Sequence, residues 1–215
     1  MSEAPGEEGW PVLESTAEYE TGWYTGGYDL VEQPDGTTKR YYWADLPNAV
    51  VVVARAPWPT MTAAVAGDST VPTTPGEGAD VASPSGRAES REAILFVRQY
   101  RPTIRETHLE LPAGIVEDGE SYTAAAAREL EEETGLAPSS TTLLQEYAVA
   151  TGVLRHRRGI VFAEGLEPGQ PDRDSNEFLE VVPVPVEAAI ETARADPAHD
   201  ASLTGLLLAR ADGLL

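Results

Sequence analysis

The chain has 215 residues, 15 Lys and Arg against 36 Asp and Glu for a formal net charge of −21, and no cysteine. That length buries a core without covalent staples, and the missing cysteines exclude a disulfide scaffold, a Cys-ligated zinc site and a thiol nucleophile. The acidity excludes nucleic acid as a partner, because neutralising phosphates needs basic stripes.

From Glu20 to Arg55 the sequence reads as all-β. Trp23, Tyr24, Tyr28, Leu30 and Val31 lead into the turn Gln33-Pro34-Asp35-Gly36, and Tyr41, Tyr42 and Trp43 follow it, which predicts a hairpin. Asn48 to Arg55 and Ala93 to Gln99 read as buried strands. Between them, half of the residues from Pro57 to Arg91 are Pro, Gly, Ser or Thr without periodicity, so a long flexible insertion is expected at 57–91. A helix is predicted after Ser121 as N-cap, closed by Gly135. Strands are expected at Leu143 to Ala150, Gly159 to Ala163 and Phe178 to Val182. Two helices then end the chain, one from about Pro185 and one capped by Asp200 with Leu203, Leu206 and Leu207 on one side. The domain reading is an N-terminal β region at 1–47 and one larger domain at 48–215. The longest apolar run, Ala49 to Ala54, falls far short of the roughly 20 residues a spanning helix needs. Met1 to Glu8 is acidic where a signal peptide is basic, so a soluble cytoplasmic protein without a membrane partner is expected.

The chemistry concentrates in Gly114 to Leu136. At about 100° per residue, Glu129 and Glu133 lie about 40° apart around the helix and Glu132 about 60° to the other side. Like charges at these spacings destabilise a helix unless neutralised, and clustered carboxylates without His or Cys suit Mg²⁺ or Mn²⁺ rather than Zn²⁺. The alternative is a solvated acidic face.

The spacing resembles the signature of the Nudix hydrolases: Gly, five residues, Glu, seven residues, Arg-Glu, an aliphatic, any residue, Glu-Glu, any residue, Gly, an aliphatic. Gly114, Glu120, Arg128, Glu129, Leu130, Glu132, Glu133, Gly135 and Leu136 fill every fixed position. The resemblance implies an α/β fold, an α/β/α sandwich with a mixed sheet. It implies Glu129, Glu132 and Glu133 as metal ligands, the carbonyl of Ala113 as a further one, and a brace between Glu120 and Arg128. Glu132 is also a candidate in catalysis.

The stretches Ile94 to Arg101 and Leu109 to Gly114 are similar to the ADP-ribose pyrophosphatase branch, whose N-terminal strands build a dimer. That likeness implies a homodimer, substrate phosphate at Arg101, and a catalytic base in the loop Asp172 to Glu180, with Glu177 first and Asp174 second. It implies hydrolysis of a nucleoside diphosphate linked to another group, ADP-ribose first. NADH, other nucleoside diphosphate sugars and dinucleoside polyphosphates stand as rival substrates, and a sugar-nucleotide sensor that does not cleave is the rival class. The sequence departs from the branch at Thr151, where a proline is usual. Arg155, Arg157 and Arg158 form the densest basic cluster, either a phosphate-binding wall or internal counter-charges. His108, His156 and His199 lack metal-ligand spacing and read as ordinary side chains. Lys39 is the only lysine, and the strong acidity suggests work in concentrated salt, where screening removes surface self-repulsion.

Overall fold

The computed structural model describes residues 9–61, 91–170 and 178–215. In chain order its strands are β1 (Val12–Glu20), β2 (Thr25–Glu32), β3 (Thr38–Asp45), β4 (Ala49–Pro57), β5 (Glu92–Arg101), β6 (Glu106–Glu110) and β7 (Ala113–Ile115). Helix α1 (Tyr122–Thr134) follows, then β8 (Leu136–Ala148), β9 (Leu154–Arg155), β10 (Arg157–Pro168) and β11 (Leu179–Pro185). Helices α2 (Val186–Arg194) and α3 (Asp200–Ala211) close the chain. It forms two compact units, Met1–Asn48 with Tyr147–Arg158, and Ala49–Glu146 with Gly159–Leu215. The segment Tyr147–Arg158, expected in the larger domain, groups with the N-terminal strands because β9 pairs with β3.

The first unit is a four-stranded sheet of order β1-β2-β3-β9. β1 and β2, then β2 and β3, pair antiparallel, while β9 joins β3 parallel through Ala44↔Leu154 and Asp45↔Arg155. The predicted hairpin is β2–β3, with Gly36 at φ 80° in its turn. β1 was not foreseen. Its nine residues, VLESTAEYE, form an edge strand exposed at all but one position, so no apolar alternation marks it. Of the six aromatic residues read in the hairpin, Trp23, Tyr41 and Tyr42 are exposed, whereas Tyr28 is buried and Trp43 gives its indole N–H to Asp29.

The second unit is a seven-stranded sheet. Its path runs β11-β5-β4-β10-β8, with β6 paired to β5 and β7 to β4. β4 lies in the middle and is apolar from Val50 to Ala54 because both of its faces are covered. Val50, Val52, Ala54 and Ala56 share a core cluster with Ala125, Ala126 and Leu130 of α1. The alternate position, Val53, lies against Gly205 of α3 together with Leu111 and Ile160. Period-two alternation along one strand thus places α1 and α3 on opposite faces, as in the expected α/β/α sandwich.

α3 departs from its sequence reading in two details. His199 occupies the N-cap position rather than Asp200, and makes no side-chain cap hydrogen bond. The buried stripe is Ala201, Ser202, Gly205, Leu206 and Ala209, which turns Leu207 to solvent. Of the long insertion read at 57–91, residues 57–61 and 91 are described and the rest lie outside the described residues. Its start belongs to the core: Met61 is fully buried and Trp58 packs on the cluster around α1.

Candidate functional site

The acidic helix is built as its caps dictate. Ser121 Oγ accepts the N–H of Ala124 at 3.2 Å, and Gly135 takes φ 71°, where its N–H closes on the carbonyl of Glu131. Only a residue without a Cβ enters that left-handed region freely, so the helix ends there and β8 begins at once. Ala125, Ala126 and Leu130 face the core and turn the polar arc toward β7.

On that arc Arg128 ties the site together. Its Nε and Nη2 donate to Glu120 at 3.2 and 2.9 Å, and its Nη1 donates to Glu129 at 2.9 Å and Glu132 at 3.0 Å. Nη2 also reaches the carbonyl of Ile115 at 2.8 Å, which fixes the end of β7 against the helix. The guanidinium beside Glu120 holds that carboxyl below the usual carboxylate range, and the same contact pushes the Arg128 pKa up. Glu133 sits one turn beyond Glu129 and is only 5 % exposed.

Gly114 is required by close approach. A Cβ there would lie 1.9 Å from Cδ of Glu129, so the carboxylate rests directly on the β7 backbone beside Ala113. Glu129 is the flexible end of a side chain and can swing away, so Gly114→Ala should leave the fold intact but displace this carboxylate. We expect activity to fall about 10²-fold, the scale of an ångström-sized misplacement, with the melting temperature within a few degrees of the parent. Unchanged activity by steady-state assay would count against a role for the Glu129 position.

Sequence reasoning and structure agree less well on the arginines. Arg101, at the end of β5, forks onto Glu110 at 3.0 and 2.5 Å, an ion pair that the sequence reading missed. Arg155, read either as part of a phosphate wall or as an internal counter-charge, pairs with Asp29 within the first unit and lies 3.9 Å over the Trp43 ring. It is an internal counter-charge there. Arg157 is exposed, and its backbone N–H donates to Asn48 Oδ1 at 3.0 Å. Thr151 lies in the turn between β8 and β9, where Ala150 has φ 45°. Glu177 and Asp174 lie outside the described residues.

Among the described residues no three His, Asp or Glu side chains converge as a finished metal cage, because Arg128 draws Glu129 and Glu132 to itself. The donor chemistry nonetheless fits a hard divalent cation. Glu129, Glu132 and Glu133 project from one helix arc, and the oxygen-only set includes a carboxylate buried in a strongly acidic chain.

A model of the NUDIX domain matches residues 81–205. The chain is 31 % identical over 141 residues to the ADP-ribose pyrophosphatase of Bacillus subtilis (strain 168), covering 57 % of this chain and 76 % of that protein. It is 35 % identical over 105 residues to the ADP-sugar pyrophosphatase of Mus musculus, covering 46 % of this chain and 48 % of that one. A solved structure of an ADP compounds hydrolase superposes with a TM-score of 0.70 at 18 % identity, over 99 % of this chain and all of that one, which establishes a shared fold.

Proposed function

The chain belongs to the Nudix family and is a Nudix pyrophosphohydrolase of the ADP-ribose pyrophosphatase-like branch, and we propose that it hydrolyses ADP-ribose to AMP and ribose 5-phosphate. The observation that carries this reading is the knot in which one guanidinium holds three carboxylates against the β7 backbone, beside the buried Glu133. Water's oxygen bonds to one phosphorus as the bridging P–O bond breaks, giving two phosphate monoesters. We assign a divalent cation, Mg²⁺ with Mn²⁺ as substitute, to Glu129, Glu132, Glu133 and the carbonyl of Ala113. Once bound it would neutralise charge on the diphosphate. Arg128 and Glu120 hold the loop that presents these oxygens. Arg101 supplies a planar fork to the diphosphate, and Glu177, with Asp174 as second choice, accepts the proton of the attacking water.

The test is a panel of ADP-ribose, NADH, other nucleoside diphosphate sugars and dinucleoside polyphosphates with Mg²⁺ and with Mn²⁺, products resolved by chromatography. AMP and ribose 5-phosphate from ADP-ribose, at the highest kcat/KM of the panel, is the expected result. Far faster turnover of NADH or a dinucleoside polyphosphate would overturn the substrate.

We propose further that the enzyme is a homodimer working in the cytoplasm at high salt. Exposed Trp23, Tyr41 and Tyr42 on one small sheet unit support the dimer, and the net charge of −21 supports the salt. Light scattering should give a mass near twice 23.0 kDa, and a fully active monomer would defeat the assembly. The unfolding midpoint should rise between low and molar KCl, whereas a flat or falling midpoint would defeat the salt proposal.

A further inference from the structure

The β5–β6 hairpin and the start of α3 bring together a second cluster of charged and titratable groups. In the β5–β6 hairpin, Arg101 pairs with Glu106, Gln99 with His108 and Val97 with Glu110, so Arg101, Glu106, His108 and Glu110 share one face. Arg101 reaches back along that face and clasps Glu110 through Nε and Nη2 together. Glu110 is 2 % exposed while the Arg101 side chain is 40 % exposed. A carboxylate so deeply buried is costly unless it is paired and hydrogen-bonded, and this one is paired with a guanidinium that it immobilises and that still reaches solvent.

α3 braces the carboxylate from its other side. His199 Nδ1 lies 3.7 Å from Glu110 Oε2 and 3.1 Å from Ser202 Oγ, and Ser202 Oγ accepts the N–H of Leu111, the residue after Glu110, at 2.9 Å. His108 is buried close by, 6.4 Å ring to ring from His199, with its Nε2 3.1 Å from Glu106. Burial pushes the Glu110 carboxyl up, but Arg101, His199 and His108 together outweigh it and leave the group below its usual range. These partners favour its ionised form. Three residues further on lies Ala113, on the strand that carries Gly114. A long arginine that is free to move loses rotamer freedom when it grips an anion. One already clamped by a buried carboxylate has lost that freedom on folding.

Resting on the reading of Arg101 as a contact for the substrate's diphosphate, we propose that Glu110, braced by His199 and Ser202 of α3, is a positioning residue that holds the Arg101 fork in its binding orientation. Glu110 acts through Arg101 and does not itself touch substrate. Its loss weakens binding alike in the ground and transition states, so it raises KM and spares kcat.

The experiment compares Glu110→Gln, Arg101→Gln and the double variant on the nucleoside diphosphate that the parent hydrolyses fastest. Calorimetric binding of ADP-ribose without divalent metal serves as a readout independent of turnover. We expect Glu110→Gln to raise KM about tenfold, equivalent to about 1.4 kcal/mol, with kcat within about threefold. Arg101→Gln should raise KM at least as much, and the double variant should be no worse than Arg101→Gln alone. Additive losses, or a parental KM in Glu110→Gln while Arg101→Gln is impaired, would overturn the positioning role and leave the Arg101 contact standing. A parental KM in Arg101→Gln would overturn the contact itself and this proposal with it. Should Glu110→Gln not fold, Glu110→Asp decides: it keeps the charge but draws the carboxylate back from the Arg101 fork, so a raised KM with kcat within about threefold supports the proposal and a parental KM rejects it.

Discussion

Glu133→Gln should lower kcat/KM on the order of 10²–10³-fold at limiting Mg²⁺ while leaving the melting temperature equal to or above that of the parent. The two effects have opposite signs for one reason. Glu133 is a buried carboxylate one turn from Glu129, so neutralising it removes a like-charge pair worth about 0.2–0.5 kcal/mol and the cost of burying a charge, and with them a proposed metal oxygen. Glu129→Gln should match it in activity but not in stability, because Glu129 accepts a charged hydrogen bond from Arg128 that Gln holds less well. Steady-state rates and thermal melts on the two variants check both halves. Activity within a few-fold of the parent would remove these residues from the site.

Arg128→Met should cost about 2–3 kcal/mol of unfolding free energy by urea titration, and most of the activity. The side chain makes five hydrogen bonds, to Glu120 twice, to Glu129, to Glu132 and to the Ile115 carbonyl. The cost stays below the limit for a fully buried pair because Glu132 is partly open to solvent, where water screens its charge. Removing the guanidinium leaves Glu120, Glu129 and Glu132 repelling one another. Millimolar Mg²⁺ should therefore stabilise the variant more than it stabilises the parent, since a ligand that binds the folded state adds to its stability by mass action. Equal stabilisation of the two would argue that the cation sits elsewhere.

The same residues show what could be read from the chain. The box was legible because a helix writes its periodicity into contiguous sequence: Ser121, Gly135 and the three carboxylates are fixed by local spacing. β4 and β5 were legible because central strands are apolar on both faces. The edge strands β1 and β8 were missed in whole or in part, since β1 has no buried residue and β8 only Leu136, so neither needs apolar alternation. β8 in fact begins at Leu136, well before the Leu143 expected. The pairings Arg101–Glu110 and Arg155–Asp29 left no local trace, because each joins residues that only the sheet pairing brings together. His199, read as an ordinary side chain, gains its place beside Glu110 from the packing of α3, which spacing along the chain does not encode.

The parallel seam between β3 and β9 also sets a timetable. Ala44 and Leu154 are partners, yet about 110 residues separate them, and at 5–20 residues per second a ribosome needs roughly 5–22 s to make that stretch. Through that interval the nascent hairpin has an unpaired β3 edge, Asp29 lacks its Arg155, and the Trp43 ring lacks the guanidinium that covers it. An open strand edge beside exposed Trp23, Tyr41 and Tyr42 is a template for pairing with another copy. The first three strands of this sheet are thus made well before the strand that completes it, and chains that stall before Leu154 should aggregate more readily than chains extended past it.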